Sequence, residues 1–246
     1  MTVFPGVQGE GIQLDSSLYI RIAALLTVPI MLVLSAIVGK RTAQVSHKYS
    51  LVVTPPGPFF AIWGVIYIGL IVSGFYFVVE NVWSLGVTIL FGTVCLLNGL
   101  WVFIFDKATT KTNNICTIII FLMLVLNELQ WIWMEVPTSV TGSISTWNIV
   151  NRNIFAFYQG WLVGAFNLNL GVTLVYTFGI SKKVHTYIFW IVCPLFVLAM
   201  VLLNISYHQG FINNIAMYFS AGHALIGAFI STRKNFDQET GKTTLM

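Results

Sequence analysis

Charge is what this sequence has least of. Only 8% of its 246 residues are Asp, Glu, Lys or Arg, while 57% are hydrophobic. A soluble domain carries about 25% charged residues, so a water-facing globule is excluded and an integral membrane protein is left. Cysteine is scarce as well. Cys95, Cys116 and Cys193 lie in or beside apolar runs, without the spacings that hold a metal or cycle a disulfide, and read as small core residues. Residues 1–17 contain no Lys or Arg but do contain Glu10 and Asp15. That excludes a classical signal peptide and the Arg-rich, acid-poor make-up of a transit peptide, so targeting information is internal or the chain is a mature one. There is no nucleophile with a paired base, no metal-ligand cluster and no Gly-rich phosphate loop. The expectation is therefore a non-enzyme, with no catalytic set, no metal, no required cofactor and no nucleic acid partner. No internal repeat is evident, which counts against an inverted-repeat transporter.

What is present is apolar length. Seven runs, near Leu18–Gly39, Phe59–Val79, Trp83–Phe105, Cys116–Val136, Ile154–Phe178, Val184–Ile205 and Phe211–Ser231, are long enough to cross a bilayer. They predict an all-α integral membrane protein of about seven transmembrane helices. The twelve basic residues are lopsided: Lys40, Arg41, Lys48, Lys107, Lys111, Lys182, Lys183, Arg233, Lys234 and Lys242 fall on one side, leaving Arg21 and Arg152 for the other. That asymmetry predicts a multi-pass chain with its N-terminus outside and its C-terminus inside.

Thr54 to Leu70, TPPGPFFAIWGVIYIGL, starts with turn chemistry and runs into a helix. Pro55, Pro56 and Pro58 lack an N–H and suit a first turn, and Thr54 is suited to accept from free N–H groups there. Trp63, Tyr67, Leu70 and Gly74 then share one stripe at about 100° per residue. The preceding stretch, Lys40 to Val53, reads as a basic polar loop, either a topology signal or a lid folded over the bundle.

Other spans carry isolated polar groups. Asn98, Trp101 and Phe105 share a face, and lipid offers an amide no partner, so Asn98 should point at other helices. Leu124, Glu128, Trp131 and Glu135 form another stripe. Glu128, the one acidic residue well inside a span, is an intramembrane polar candidate: a functional group, or a glutamate stitched to Asn98 or Asn169. In the fifth span Tyr158, Trp161, Ala165, Leu168 and Asn169 fall on one arc, while Gly160, Gly164 and Gly171 fall opposite. The first face suits a site. The second suits close helix packing, inside the bundle or at a dimer interface. His223 reads as hydrogen-bonded core in preference to a metal or haem ligand.

These residues carry a resemblance. Thr54 to Tyr67 has the form T-P-x-G-x-x-F-x-I-W-G-x-I-Y, Asn98 to Phe105 contains Asn-x-x-Trp, and Tyr158 to Asn169 follows Tyr-x-x-Trp-x-x-x-Ala-x-x-Leu-Asn. Together they resemble the longer branch of the translocator protein, or tryptophan-rich sensory protein (TspO/MBR), family. The resemblance implies a five-helix bundle with a site beneath the first loop for flat hydrophobic ligands such as porphyrins (haem included) or sterols. It assigns Trp63, Tyr67, Asn98, Trp101, Tyr158, Trp161, Ala165 and Leu168 to that site. Trp131 and Asn169 join the candidate set from their stripes.

The expected organisation is a polar N-terminal segment (1–17), a TspO-like bundle (18–178), two additional transmembrane helices (179–232) and a polar tail (233–246). The leading functional expectation is binding of such a ligand, with membrane lipids as further partners. The alternative is a non-catalytic accessory subunit of a larger membrane complex, such as a mitochondrial respiratory assembly, or a homodimer. A third reading makes Glu128 the centre of a proton-coupled carrier.

Overall fold

The computed structural model describes residues 16–80, 84–134, 146–208 and 215–239. The expectations for residues 1–15, Glu135, the loop that follows it and the end of the tail lie outside these. Seven long helices occur among the described residues: α1 (Ser16–Lys48), α2 (Ile62–Glu80), α3 (Leu85–Asp106), α4 (Asn113–Trp133), α5 (Thr146–Val172), α6 (Lys182–His208) and α7 (Ile215–Glu239). Six of them are long and apolar enough to cross a membrane; the exception is α5. Its polar residues do not need lipid to tolerate them, because α5 packs against α2, α4, α6 and α7 and is covered on nearly every side.

The first five helices close a ring in the order α1, α2, α5, α4, α3. Small residues set its closest approaches. A Cβ on Gly92 would lie 3.3 Å from the Ala24 Cα, and one on Gly99 3.4 Å from the Met31 Cα, so α1 lies along α3. Side-chain amides and hydroxyls join α4 to α5. Asn127 Nδ2 donates to Gln159 Oε1 (2.7 Å) and to the Phe155 carbonyl (3.2 Å), and Thr117 Oγ1 donates to the Asn169 carbonyl (2.9 Å). Where lipid replaces water, such bonds and close contacts stand in for the hydrophobic effect between helices.

The two additional helices pack on the far side of α5. Gly160 abuts the Met217 carbonyl and Ala221 of α7, Gly164 abuts Ala224, and Gly171 abuts His185 of α6 and Leu51. The glycine face predicted for packing is thus occupied by the same chain, and it is divided between two partners. Between α5 and α6 the chain makes a π-helical turn, Thr173–Thr177, and reverses at Gly179, whose φ of 75° favours glycine.

Two boundaries differ from expectation. The first helix does not stop near Gly39 but continues to Lys48, so the expected long basic loop is mostly helix and the connection is only 49–56. Polar side chains on an exposed helical turn read as loop in hydropathy, yet they do not prevent helix formation. At the other end, α7 runs on to Glu239 through the first part of the expected tail.

The loops at one end converge. Tyr49 Oη donates to the Ala108 carbonyl (3.3 Å), Tyr176 Oη to that of Ser50 (2.7 Å) and Thr177 Oγ1 to that of Thr110 (2.6 Å). Arg41, Lys48, Lys107, Lys111, Lys182, Lys183, Arg233 and Lys234 therefore share this end, as the sequence asymmetry anticipated. Arg21 and Arg152 lie at the other.

Candidate functional site

The centre of the five-helix ring is aromatic. After Pro56 the chain makes a 3-10 turn at Gly57–Ala61, then enters α2, which sets Trp63 and Tyr67 one turn apart on the inner face. The Trp63 ring stacks on Trp101 of α3 at 5.8 Å and meets Trp161 of α5 edge-on at 5.9 Å. Tyr158 and Tyr67 lie 6.2 and 5.8 Å from the same ring. Trp101, Tyr158 and Trp161 are buried, whereas Trp63 and Tyr67 are partly exposed, so the cluster is not fully enclosed.

A short polar chain runs behind these rings. Asn98 Nδ2 donates to Tyr158 Oη (2.6 Å), Tyr67 Oη donates to Asn98 Oδ1 (3.3 Å), and Ser35 Oγ lies 3.1 Å from Tyr67 Oη. Trp101 Nε1 donates to Asn169 Oδ1 (3.3 Å), and Asn169 Nδ2 in turn to the Ala165 carbonyl (2.9 Å). The Trp161 indole N–H is different. Its ring is buried between Trp63, Phe60 and His223 of α7, and Nε1 has no hydrogen-bond partner among the described residues. An unmatched buried donor costs about 1–3 kcal/mol.

The structure thus gathers Trp63, Tyr67, Asn98, Trp101, Tyr158 and Trp161 into one group, with Asn169 attached through Trp101. Ala165 is buried beneath Asn169, and Leu168 packs at the edge of the core. Trp131 does not join them. It lies farther along α4, where Arg152 stands over its ring at 5.1 Å. Trp131 is buried, but not at the level of the cluster.

Glu128 is not stitched to Asn98 or Asn169, whose amides are engaged elsewhere. Both of its carboxylate oxygens are buried without a hydrogen-bond partner among the described residues. His223 behaves as core: Nε2 lies 3.2 Å from the Phe59 carbonyl, and its ring packs on Phe59 at 4.7 Å. Among the described residues no group of three His, Cys, Asp or Glu is placed to hold a metal.

Three contributors were not singled out from sequence. Ser35 extends the polar chain, Phe60 meets Trp161 edge-on at 6.0 Å, and Asp106, buried at the end of α3, lies 3.7 Å from Arg41. The signal for Ser35 was a lone hydroxyl in an apolar run; for Asp106 it was an acid directly following one.

The connection from Tyr49 to Pro56 covers the basic end of the ring. Val53 is fully buried, and three backbone carbonyls are held by distant side chains: Ser50 by Tyr176, Val52 by Asn235 Nδ2 (3.0 Å) and Thr54 by Ser231 Oγ (2.6 Å). Thr54 Oγ1 accepts from the Leu51 N–H (2.8 Å), closing the turn before it instead of capping the helix after it.

Compared with known proteins, the chain matches the family model described as TSPO-like protein across residues 17–242. No curated protein and no solved structure matches it.

Proposed function

Because the chain belongs to the TSPO-like family, we propose that this multi-pass membrane protein works by binding one flat, apolar molecule of the porphyrin or sterol type against its central aromatic cluster. The observation that carries the reading is the buried Trp161 N–H, without a partner among the described residues, beside Tyr67, Asn98, Trp101 and Tyr158, whose polar atoms are matched. A ligand carrying a carboxylate, carbonyl or hydroxyl oxygen would accept from it, while its apolar plate lies against Trp63. Binding would be reversible and non-covalent, with no bond made or broken. The segment 49–56 would act as the gate, opening only when the carbonyl bonds from α7 and Tyr176 release. The crowding of basic residues at that end supports an orientation with the N-terminus outside and the C-terminus inside. A mitochondrial membrane is one host consistent with this reading.

A second reading has its own support. Trp63 stacks on Trp101, Trp101 on Phe105, and Trp161 meets Trp63 edge-on, so in this reading the rings would fill the centre of the ring themselves. That suits a non-catalytic subunit of a larger membrane assembly, such as a respiratory complex. A homodimer would need a face other than the α5 glycines, which α6 and α7 occupy.

The test is a titration of detergent-purified protein with protoporphyrin and, separately, with cholesterol, following tryptophan fluorescence. Saturable quenching by porphyrin, weakened by Trp63→Leu with helicity intact, supports the binding reading. Silence with both ligands, together with copurification of the native protein in a large complex, moves the weight to the second.

A further inference from the structure

The basic end has an arrangement that its charge bias alone does not require. Insertion needs a sufficient number of cations on one side, not their placement relative to one another. Here Lys48, the last residue of α1, and Lys182, the first of α6, both rest on one tyrosine pair. Lys48 Nζ is 4.9 Å from the Tyr49 ring centroid and Lys182 Nζ is 5.6 Å from that of Tyr176. The two rings meet edge-on at 5.1 Å, and each is fixed by its hydroxyl, Tyr49 to the Ala108 carbonyl and Tyr176 to that of Ser50.

Lys183 follows at once, and α6 has no acidic residue in its first turn. Ser181 Oγ, a neutral acceptor, takes the Val184 N–H at 3.2 Å. Two ammonium groups therefore sit at the positive end of a long helix, which is the unfavourable end for cations. Among the described residues, Lys48, Lys182 and Lys183 make no ion pair; the pair that does form is Arg41 with Asp106. All three lysines are exposed, at the edge of the apolar stretch Lys182–Leu203. Beside them the outward residues Phe178, Val184, Tyr187 and Ile191 offer apolar surface.

We propose that the corner formed by Lys48, Tyr49, Tyr176, Lys182 and Lys183 binds the phosphate headgroup of an anionic phospholipid. The charge complementarity is threefold: two lysines held on a rigid aromatic pair, a third beside them, and a helix N-terminus that prefers an anion. The acyl chains would lie along the exposed side of α6. This site is separate from the central aromatic cluster and does not depend on what that cluster holds.

The test uses full-length protein in a neutral detergent. Its thermal unfolding is followed as dioleoyl phosphatidylglycerol, dioleoyl phosphatidylcholine or inorganic phosphate is added, and retained lipid is counted by native mass spectrometry. The anionic lipid should raise the unfolding temperature saturably, more than the zwitterionic one, and less so at high salt. Lys48→Gln with Lys182→Gln should weaken apparent lipid affinity on the order of tenfold, from the contribution each lysine makes near an anionic surface. Lys48→Arg with Lys182→Arg should retain the response. Lys107→Gln with Lys111→Gln, at the same end but with the Lys107 ammonium resting on Phe103 and not on either tyrosine, should leave it unchanged. Equal losses in the two glutamine variants, or equal shifts with both lipids, would overturn the site. A shift of the same size with inorganic phosphate would replace the lipid by a soluble anion and overturn the lipid assignment.

Discussion

Replacing Gly160 by alanine should separate α7 from α5. A Cβ there would be directed at the Met217 carbonyl oxygen and would lie 2.9 Å from the Ala221 nitrogen. Both are backbone atoms inside a helix, so neither can rotate away, and α7 as a whole has to move. Overpacking of this kind costs about 1–3 kcal/mol. For a chain of this size that corresponds to a fall in unfolding temperature of roughly 3–10 °C. Gly64 is the matched control: nothing lies within 4 Å of a Cβ at that position, and the residue faces outward. Alanine there gains about 0.5–1 kcal/mol of helix propensity, so Gly64→Ala should unfold slightly later. The chain supplies its own reporter, since Cys95, Cys116 and Cys193 are buried free thiols that a thiol-reactive dye reaches only on unfolding. If Gly160→Ala unfolds at or above the temperature of Gly64→Ala, the α5–α7 contact is not the close packing described, and the glycine face is free for another partner.

Three further outcomes follow from the same geometry. Ser231→Ala with Asn235→Ala removes two bonds to the 49–56 carbonyls, each contributing about 0.5–1.5 kcal/mol; amide exchange in that segment should quicken while exchange in α3 and α4 is unchanged. Asn98→Leu strips Tyr158 and Tyr67 of their shared partner and should destabilise by about 1–3 kcal/mol, read as an earlier dye-reported transition. Glu128→Leu should raise the unfolding temperature, because the carboxylate gives up no hydrogen bond when it is replaced; a clear fall would reveal a role that its surroundings do not account for.

Much of the central cluster was legible because its residues share helix faces. Trp63 and Tyr67 are four apart, Asn98 and Trp101 three apart, and Tyr158 and Trp161 three apart, so 3.6-residue periodicity sets each pair on one side. Lipid, which gives an amide no partner, then sends Asn98 inward. Periodicity fixes direction around a helix but not level along it against a neighbour. Trp131 is buried yet meets Arg152 and not the tryptophans. The sequence pairs Glu128 with Asn98 or Asn169, but that pairing depends on levels that no single helix encodes. The hold of α7 on the first connection was invisible for a different reason. Ser231 and Thr54 are 177 residues apart, and a serine in the last turns of an apolar helix carries no local mark of its partner. The end of α1 was misplaced because Lys40 to Lys48 loses hydropathy without losing helix.

In the proposed function the Trp161 N–H donates to an oxygen of a flat ligand. The most direct measurement compares Trp161→Phe with the unaltered chain, following porphyrin absorbance during titration with a carboxylate-bearing porphyrin and with an alkyl porphyrin that carries no acceptor. Phenylalanine keeps an aromatic ring in place and removes only the donor and part of the surface. Affinity for the carboxylate-bearing porphyrin should fall on the order of tenfold, while the alkyl porphyrin binds both chains nearly alike. Equal binding of the carboxylate-bearing porphyrin by both chains, or no saturable binding by either, would contradict it.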